Sequence, residues 1–533
     1  VVDLPPDRKI VAAAAYVSGA NAPAGTSKTL MAFKLYLNGR LIGVGPGRGE
    51  APVFGGDGRF RSLPYRTFDV TEAVLANASS NKALLALSGI QCGCGGHPPT
   101  PGTSRSGAAQ GASVLFELVL HFSDGGRLSV GSDASWSAKE ADSFYNPGGW
   151  PGAGGSAGLG ESGNENLDGR NEVLGWNSAL TLPPVPPGST ARWPWSPAVV
   201  VPPPVANQSF ELHSKMAHDE EIIDMPEARA VPMKAAGSFF VDFLTEFQGG
   251  LRLRVKDGKL NATVKWAAGE QATADANGWT LGNTWRAGGT MTLRDGPQLL
   301  EMHKYIEFRY VTLQFSGSVP SDWGLGAWKV RQPYIAAESH FESDNATLNR
   351  VWELCRNTLD GGVIGTFTDS NTRERQPYEA DGLVAVAARS LIQRNTILWA
   401  RHSSSYVFSV PSGGAQPAGA LTGAPVQVSG APEWLQQNAN LAWWDYMNSG
   451  TTELFQAHEE ALFRDTMIGR VVTKDGLPPC DVSVGHAACG CHMDGGTIEL
   501  KCPAGGKFTA VRFASIGTPQ GGCTNISAGD YHA

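Results

Sequence analysis

Near residue 342 the apolar residues of this chain change their repeat: before it they alternate with polar ones, and after it they recur at helical spacing. Alternation sends successive side chains to opposite faces of a strand, whereas a 3.6-residue repeat gathers them on one face of a helix. The chain must therefore fold as distinct β and α parts. "LMAFKLYLNGRLIGVG" alternates on both sides of Asn38-Gly39, a pair suited to a two-residue hairpin turn. "ASVLFELVLHFSDGGRLSVGSD" repeats the device at Asp124-Gly125-Gly126, and "GGLRLRVKDGKLNATVKWAAG" predicts a third hairpin turning at Asp257-Gly258. "KYIEFRYVTLQFSG" reads as a further strand. The tracts "LPPVPPGST" and "VPPPVANQ" favour extended connections and set a boundary near 205. The expected fold class is multidomain β + α. Residues 1–205 form an N-terminal β-sandwich domain with a Pro/Gly-rich linker, 206–341 a second β-sandwich, 342–478 a helical domain and 479–533 a small cysteine-rich module. A length of 533 residues suits three or four domains.

In the helical part, "ESDNATLNRVWELCRNTLDGG" places Leu348, Val351, Trp352, Cys355 and Leu359 on one face, with Gly361 as a stop. "TDSNTRERQPYEADG" (368–382) follows. It gathers Asp369, Glu374, Glu379 and Asp381 around Arg373 and Arg375 in a chain that is only 17% charged. Charge runs usually form solvated surface. The alternative is an acid catalyst held among ion-pair partners, and the local residues leave both readings open. Pro377 suits the first position of the next helix, with Asp369–Arg375 as the loop before it and Asp381 in its second turn. "PEWLQQNANLAWWDYMNSG" and "TELFQAHEEALFRDTMIGR" read as two more helices, with Trp443 and Trp444 as core residues.

Net charge is −8, and Lys and Arg are scattered without a basic stripe, which argues against nucleic-acid binding. No apolar run reaches 18 residues, so no membrane span is expected. The chain opens without an initiator Met or signal peptide, the mark of a processed or incomplete sequence. Cys480, Cys489, Cys491, Cys502 and Cys523 crowd the last segment and predict a disulfide-stapled module. Zinc at Cys489, Cys491 and His492 lacks the usual paired Cys-x₂-Cys knuckles, so no metal is expected. Five N-x-S/T triplets, at Asn77, Asn207, Asn261, Asn345 and Asn525, point with the cysteines to a secreted or extracellular protein.

Taken in order, several segments resemble the α-L-rhamnosidase family of glycoside hydrolases. "FKLYLNGRLIGVGPGRG", "YRTFDVTEAV", "DASW" and "GESGNENLDGRNEVLGWNSA" are similar to its first accessory β-domain. "FFVDFLTEFQGGLRLRV" and "MHKYIEFRYVTLQF" are similar to the β-sandwich before its catalytic domain. "FESDNATLNRVWELCRNTL" resembles the first helix of its (α/α)₆ barrel, and "DSNTRERQPYEAD" its acid motif, with Arg-Glu in place of Arg-Asp-Glu. The resemblance implies a cofactor-free, inverting hydrolase that removes terminal α-L-rhamnose from glycosides or polysaccharides. Carried over by residue, Glu374 is the general acid, and Asp369, Arg373, Tyr378, Asp381 and Trp434 belong to the sugar site. Tyr378 stands where the family commonly has Trp. A twelve-helix barrel needs about 200 residues at roughly 12 per helix and 5 per connection. Residues 342–478 hold only part of one, so a partial (α/α)₆ toroid is expected. The family's general base belongs to a later helix outside this chain. Asp445, Glu459 and Glu460 are available acids, but no motif nominates one, and weak or no hydrolysis is expected. "IELKCPAGGKFTAVRFASIGTPQGGC" resembles the galactose/rhamnose-binding lectin domain of sea-urchin egg lectin, here a truncated unit that would bind galactose or rhamnose. The rival reading is a catalytically dead glycan-binding protein.

Overall fold

A computed structural model describes residues 1–21, 32–45, 53–54, 60–76, 82–83, 85–90, 112–139, 144–145, 165–178, 195–200, 211–214, 220–276, 278–282, 286–303, 305–364, 366–370, 379–394, 432–453 and 455–456. Over these residues the chain is mostly β, with several sheets and a few helices. Two compact units are present: residues 1–377 with 384–426, and residues 378–383 with 427–533.

In the first unit, strands Arg127–Gly131, Ala112–Phe122, Ile10–Asn21, Phe60–Asp69 and Glu211–Ser214 lie side by side in one sheet. Arg40–Gly45, Ala32–Leu37 and Leu85–Ile90 form a second, three-stranded sheet. The inward residues of both sheets share one core: Ala15, Val17, Phe68, Leu118 and Leu120 from the first, Phe33, Leu35 and Leu37 from the second. Helix α1 (Thr71–Leu75) adds Ala73 and Val74 to it. The Asn-Gly hairpin forms as the sequence predicts. Asn38 (φ 51°) and Gly39 (φ 83°) both take the left-handed backbone of a type I′ turn, and Leu37 pairs with Arg40.

A ten-stranded sheet is organised around one long strand, Ser238–Gly258. Its first half pairs with Ile306–Phe315. Its second half pairs with Trp323–Arg331 on one side and Gly296–Glu301 on the other. A bulge between Asp242 and Phe247 separates the halves and includes Leu244 at φ 69°. The sheet closes on a single core with Val241, Phe247, Leu251, Leu253, Trp266, Phe308, Val311 and Leu325. Gly250 is required by close approach, since a Cβ there would lie 2.6 Å from the Trp328 ring.

The Asp257-Gly258 turn is a correction. Thr263–Gly269 does not fold back on Ser238–Gly258; it pairs with Arg286–Thr292 and Ile306–Phe315 instead. The Asp257 carboxylate accepts hydrogen bonds from the Ser321 N–H (2.9 Å) and hydroxyl (2.7 Å), so the segment serves a long-range connection. Strand pairing also crosses residue 205. Glu211–Ser214 runs parallel to Phe60–Asp69 in the N-terminal sheet, while Asn166–Asp168 runs parallel to Arg286–Thr292 in the ten-stranded sheet.

The segment "AFKLYL" shows how the three-stranded and ten-stranded sheets are joined. Phe33, Leu35 and Leu37 face the first core; Lys34 and Tyr36, on the opposite face, are also buried. Tyr36, Leu41, Val44 and Ala86 pack with Tyr305, with Trp328 and Val330 of the ten-stranded sheet and with Ile364. Lys34 Nζ lies 4.8 Å from the Trp328 ring, donates to the Met302 carbonyl (2.9 Å) and pairs with Glu301. Tyr36 donates to the same carboxylate (2.6 Å), and Arg252 pairs with it. Burial alone would push Glu301 up. The charges of Lys34 and Arg252, with hydrogen bonds from Lys34 and Tyr36, outweigh burial and hold it at about 2. For Lys34 burial outweighs the pull of Glu301, and its pKa falls.

Glu246, beside the bulge, goes the other way. Burial and then the charge of Glu270 lift its carboxyl to about 7, against Arg309. A depressed carboxylate stabilises the fold above its unfolded pKa, and that contribution is lost as pH falls from 4.5 toward 2 for Glu301. A raised carboxylate acts oppositely: as pH climbs from 4.5 to 7, the unfolded Glu246 ionises first and stability falls. For the buried Glu301 the effect is roughly 3 kcal/mol; Glu246 is only half-buried, and solvent screening leaves its effect smaller, on the order of 1–2 kcal/mol. Thermal melts from pH 3 to 8 are therefore expected to peak near pH 5, and Glu246→Gln should flatten the descent toward pH 7. A descent that persists in Glu246→Gln would refute this assignment.

Candidate functional site

Helix α2 (Ala346–Gly361) starts where Asn345 ends an extended segment. The Asn345 Oδ1 accepts the N–H groups of Thr347 (2.9 Å) and Leu348 (3.3 Å), a side-chain N-cap. Asn345→Ala, in protein made without glycosylation, is expected to lower unfolding free energy by about 1 kcal/mol in a denaturant titration. An unchanged midpoint would show the cap to be dispensable. The face expected to be apolar is only partly covered: Leu348 is 50% exposed and Val351 and Cys355 are exposed too, while Trp352 and Leu359 are half-buried, Trp352 against the rings of Tyr334 and Phe341. The polar side is the one held. Asn357 Nδ2 donates to the Glu246 carbonyl (3.1 Å), Asn357 Oδ1 accepts from Lys329 Nζ (3.2 Å), and Gln248 donates to the Gly361 carbonyl. The end of α2 is thus fastened to the ten-stranded sheet.

Strands Val363–Ile364 and Thr366–Phe367 pair immediately after α2, with Val363, Ile364 and Phe367 fully buried. Thr368 returns to the helix end: its N–H (3.2 Å) and hydroxyl (3.1 Å) both donate to the Gly362 carbonyl. Asp369 and Ser370 come next and are half-buried. Arg373, Glu374, Arg375, Pro377 and Tyr378 lie outside the described residues. Helix α3 runs Glu379–Ser390 with half-buried Asp381 in its first turn. Trp434 lies in helix α4 (Pro432–Ser449), its side chain outside the described set. On α4 Asp445 is buried, but Trp443 is 55% exposed and its ring lies 5.5 Å from that of Tyr446, which corrects its assignment to the core. The described residues therefore place Asp369 and Asp381 at the two ends of the acid stretch.

Sequence reasoning missed a buried polar group behind this stretch. Asp360, in the last turn of α2, is paired with Arg356 (3.1 Å) one turn earlier and with Arg389 (2.8 Å) on α3. The i,i+4 spacing of Arg356 and Asp360 in "CRNTLDGG" was the available signal. Of the eight cysteines, Cys355 is described, as a free thiol; the other seven, with the proposed module at 479–533, lie outside the described residues, among which no disulfide is seen. No described helix is long and apolar enough to cross a membrane.

Residues 336–472 match the family model for the bacterial alpha-L-rhamnosidase 6 hairpin glycosidase domain. The structure is similar to the alpha-L-rhamnosidase from Dictyoglumus thermophilum, with TM-score 0.54 and 18% identity over 89% of this chain and 49% of that one. It is also similar to the native rhamnosidase from Aspergillus terreus, with TM-score 0.52 and 18% identity over 90% and 50% of the two chains. A third, from Streptomyces avermitilis, was solved complexed with L-rhamnose; its TM-score is 0.47 at 18% identity, over 89% of this chain and 48% of that one. The chain spans about half the length of these structures.

Proposed function

We propose that this chain carries the proton-donating part of an inverting rhamnosidase-type site, which removes terminal α-L-rhamnose from glycosides or polysaccharides outside the cell. The observation that carries the reading is the family match over 336–472, because the acid stretch lies inside it. In the proposed mechanism Glu374 protonates the departing glycosidic oxygen, with Asp369, Arg373, Tyr378, Asp381 and Trp434 around the sugar. An acid in that role needs its pKa raised, which a neighbouring carboxylate favours and a close guanidinium opposes. Inversion needs a second carboxylate about 6.5–9.5 Å away to activate water. The division at 205, 341 and 478 and the lectin-type module at 479–533 belong to the same proposal.

The test is calorimetric titration of the purified chain with L-rhamnose, beside turnover of a rhamnosyl disaccharide. Rhamnose binding that weakens in Asp369→Asn and Asp381→Asn supports the reading. An absence of both binding and turnover counts against it.

A further inference from the structure

We propose that Asp360 and Arg389 form a buried positioning pair that holds the start of the acid stretch, and with it Asp369, in place for the reaction; this rests on the function proposed above. The side chains of Arg389 and Asp360 are 0% and 2% exposed, so neither meets solvent. Each oxygen of the Asp360 carboxylate has its own guanidinium: Oδ1 accepts from Arg389 (2.8 Å) and Oδ2 from Arg356 (3.1 Å). Arg389 also donates to the Pro333 carbonyl (3.3 Å), and the Asp360 carbonyl accepts the Gln332 N–H (3.2 Å). The side chain of Gln393, one turn beyond Arg389, accepts from the Ile335 N–H (2.9 Å) and donates to the Ile335 carbonyl (3.2 Å). The segment leaving the ten-stranded sheet, the end of α2 and the end of α3 thus meet at one carboxylate.

The backbone beyond Asp360 has little slack. Gly361 is held by Gln248, Gly362 by Thr368, and Phe367 is buried, so the path from 360 to 368 is fixed at nearly every described step. Asp369 is the next residue. A pair serving stability alone would need no such placement just before the acid stretch. Groups that orient catalytic side chains through packed, hydrogen-bonded neighbours have this geometry, and small displacements of the reacting groups cost large factors in rate. Arg389 and Asp360 act on the site through the backbone and do not touch the sugar in this assignment.

The experiment is hydrogen exchange by mass spectrometry on the full chain and on Asp360→Asn, Arg389→Met and Arg389→Lys. Peptides covering 362–370 are compared with those of strand Ile306–Phe315. Asp360→Asn and Arg389→Met are expected to speed exchange at 362–370 by about tenfold or more, with the reference strand unchanged. Arg389→Lys keeps the charge and loses the fork, so it should restore part of the protection. If Asp360→Asn does not fold, Arg389→Lys still loosens 362–370 relative to the parent under this proposal. Folded variants with parental exchange at 362–370 overturn it. Disaccharide turnover, read in parallel, separates the two ideas. A parent that neither turns over nor binds rhamnosides, but whose variants loosen at 362–370, retains the anchor and defeats the proposed function. A parent that turns over, with variants unchanged in both kcat and exchange, retains the function and defeats the anchor.

Discussion

In any form of the protein that turns over a rhamnosyl disaccharide, Glu374→Gln is expected to reduce kcat at least about a hundredfold, the usual scale of general-acid catalysis. Gln is nearly isosteric with Glu and keeps the hydrogen-bonding shape, but it cannot deliver a proton to the departing oxygen. The leaving group decides how much of the loss is seen. A sugar alkoxide is a poor leaving group, so the disaccharide should report the full effect. An activated aryl rhamnoside leaves without protonation, and the same variant should retain much more of its rate there. That pattern distinguishes a lost proton donor from a damaged fold, because misfolding lowers both substrates alike. Equal disaccharide turnover in Glu374→Gln and parent would remove Glu374 from the mechanism.

Much of the β architecture was legible because its determinants are local. Asn38-Gly39 fixes a type I′ turn through the two positive φ angles that only a few residues tolerate. Asp257-Gly258 carries the same local signal and failed, since the Asp257 carboxylate is committed to Ser321, a partner 64 residues away. Pairings such as Glu211–Ser214 with Phe60–Asp69 are likewise non-local, and no period in the sequence announces them. In the helical part, Leu348, Val351 and Cys355 have the spacing of a buried stripe, yet α2 is fastened through Asn357, Asp360 and Gly361 on its polar side. Polar residues at such an interface look in sequence like surface. Asp369 and Asp381 drew notice as part of a charged run and took their proposed roles from the resemblance, whereas Arg389 sits in the inconspicuous run "AARSLIQRN" and gains its meaning from a partner 29 residues earlier.

The joint between the three-stranded and ten-stranded sheets leads to the largest stability effect. Glu301→Leu is expected to lower unfolding free energy by about 3–5 kcal/mol, the cost of breaking a buried ion pair from one side. The carboxylate of Glu301 serves Lys34, Arg252 and Tyr36 together. Arg252 retains Asp224, which is largely exposed, while Lys34 is left with the Met302 carbonyl, the Trp328 and Tyr36 rings and the charge of Glu165. Burial already lowers the Lys34 pKa, and without its anion the ammonium would shed its proton at lower pH still. The defect should therefore ease as pH rises, opposite to the behaviour of a simple cavity. Lys34→Met with Glu301→Leu removes both charges from an apolar setting and should recover most of the loss. A residual deficit of about 1 kcal/mol is expected because the Tyr36 hydroxyl loses its acceptor. Denaturant titrations of the two single variants and the double variant give the coupling between the residues directly. A coupling near zero would mean that the pair is solvated and that Trp328, Tyr36 and their apolar neighbours alone hold the two sheets together.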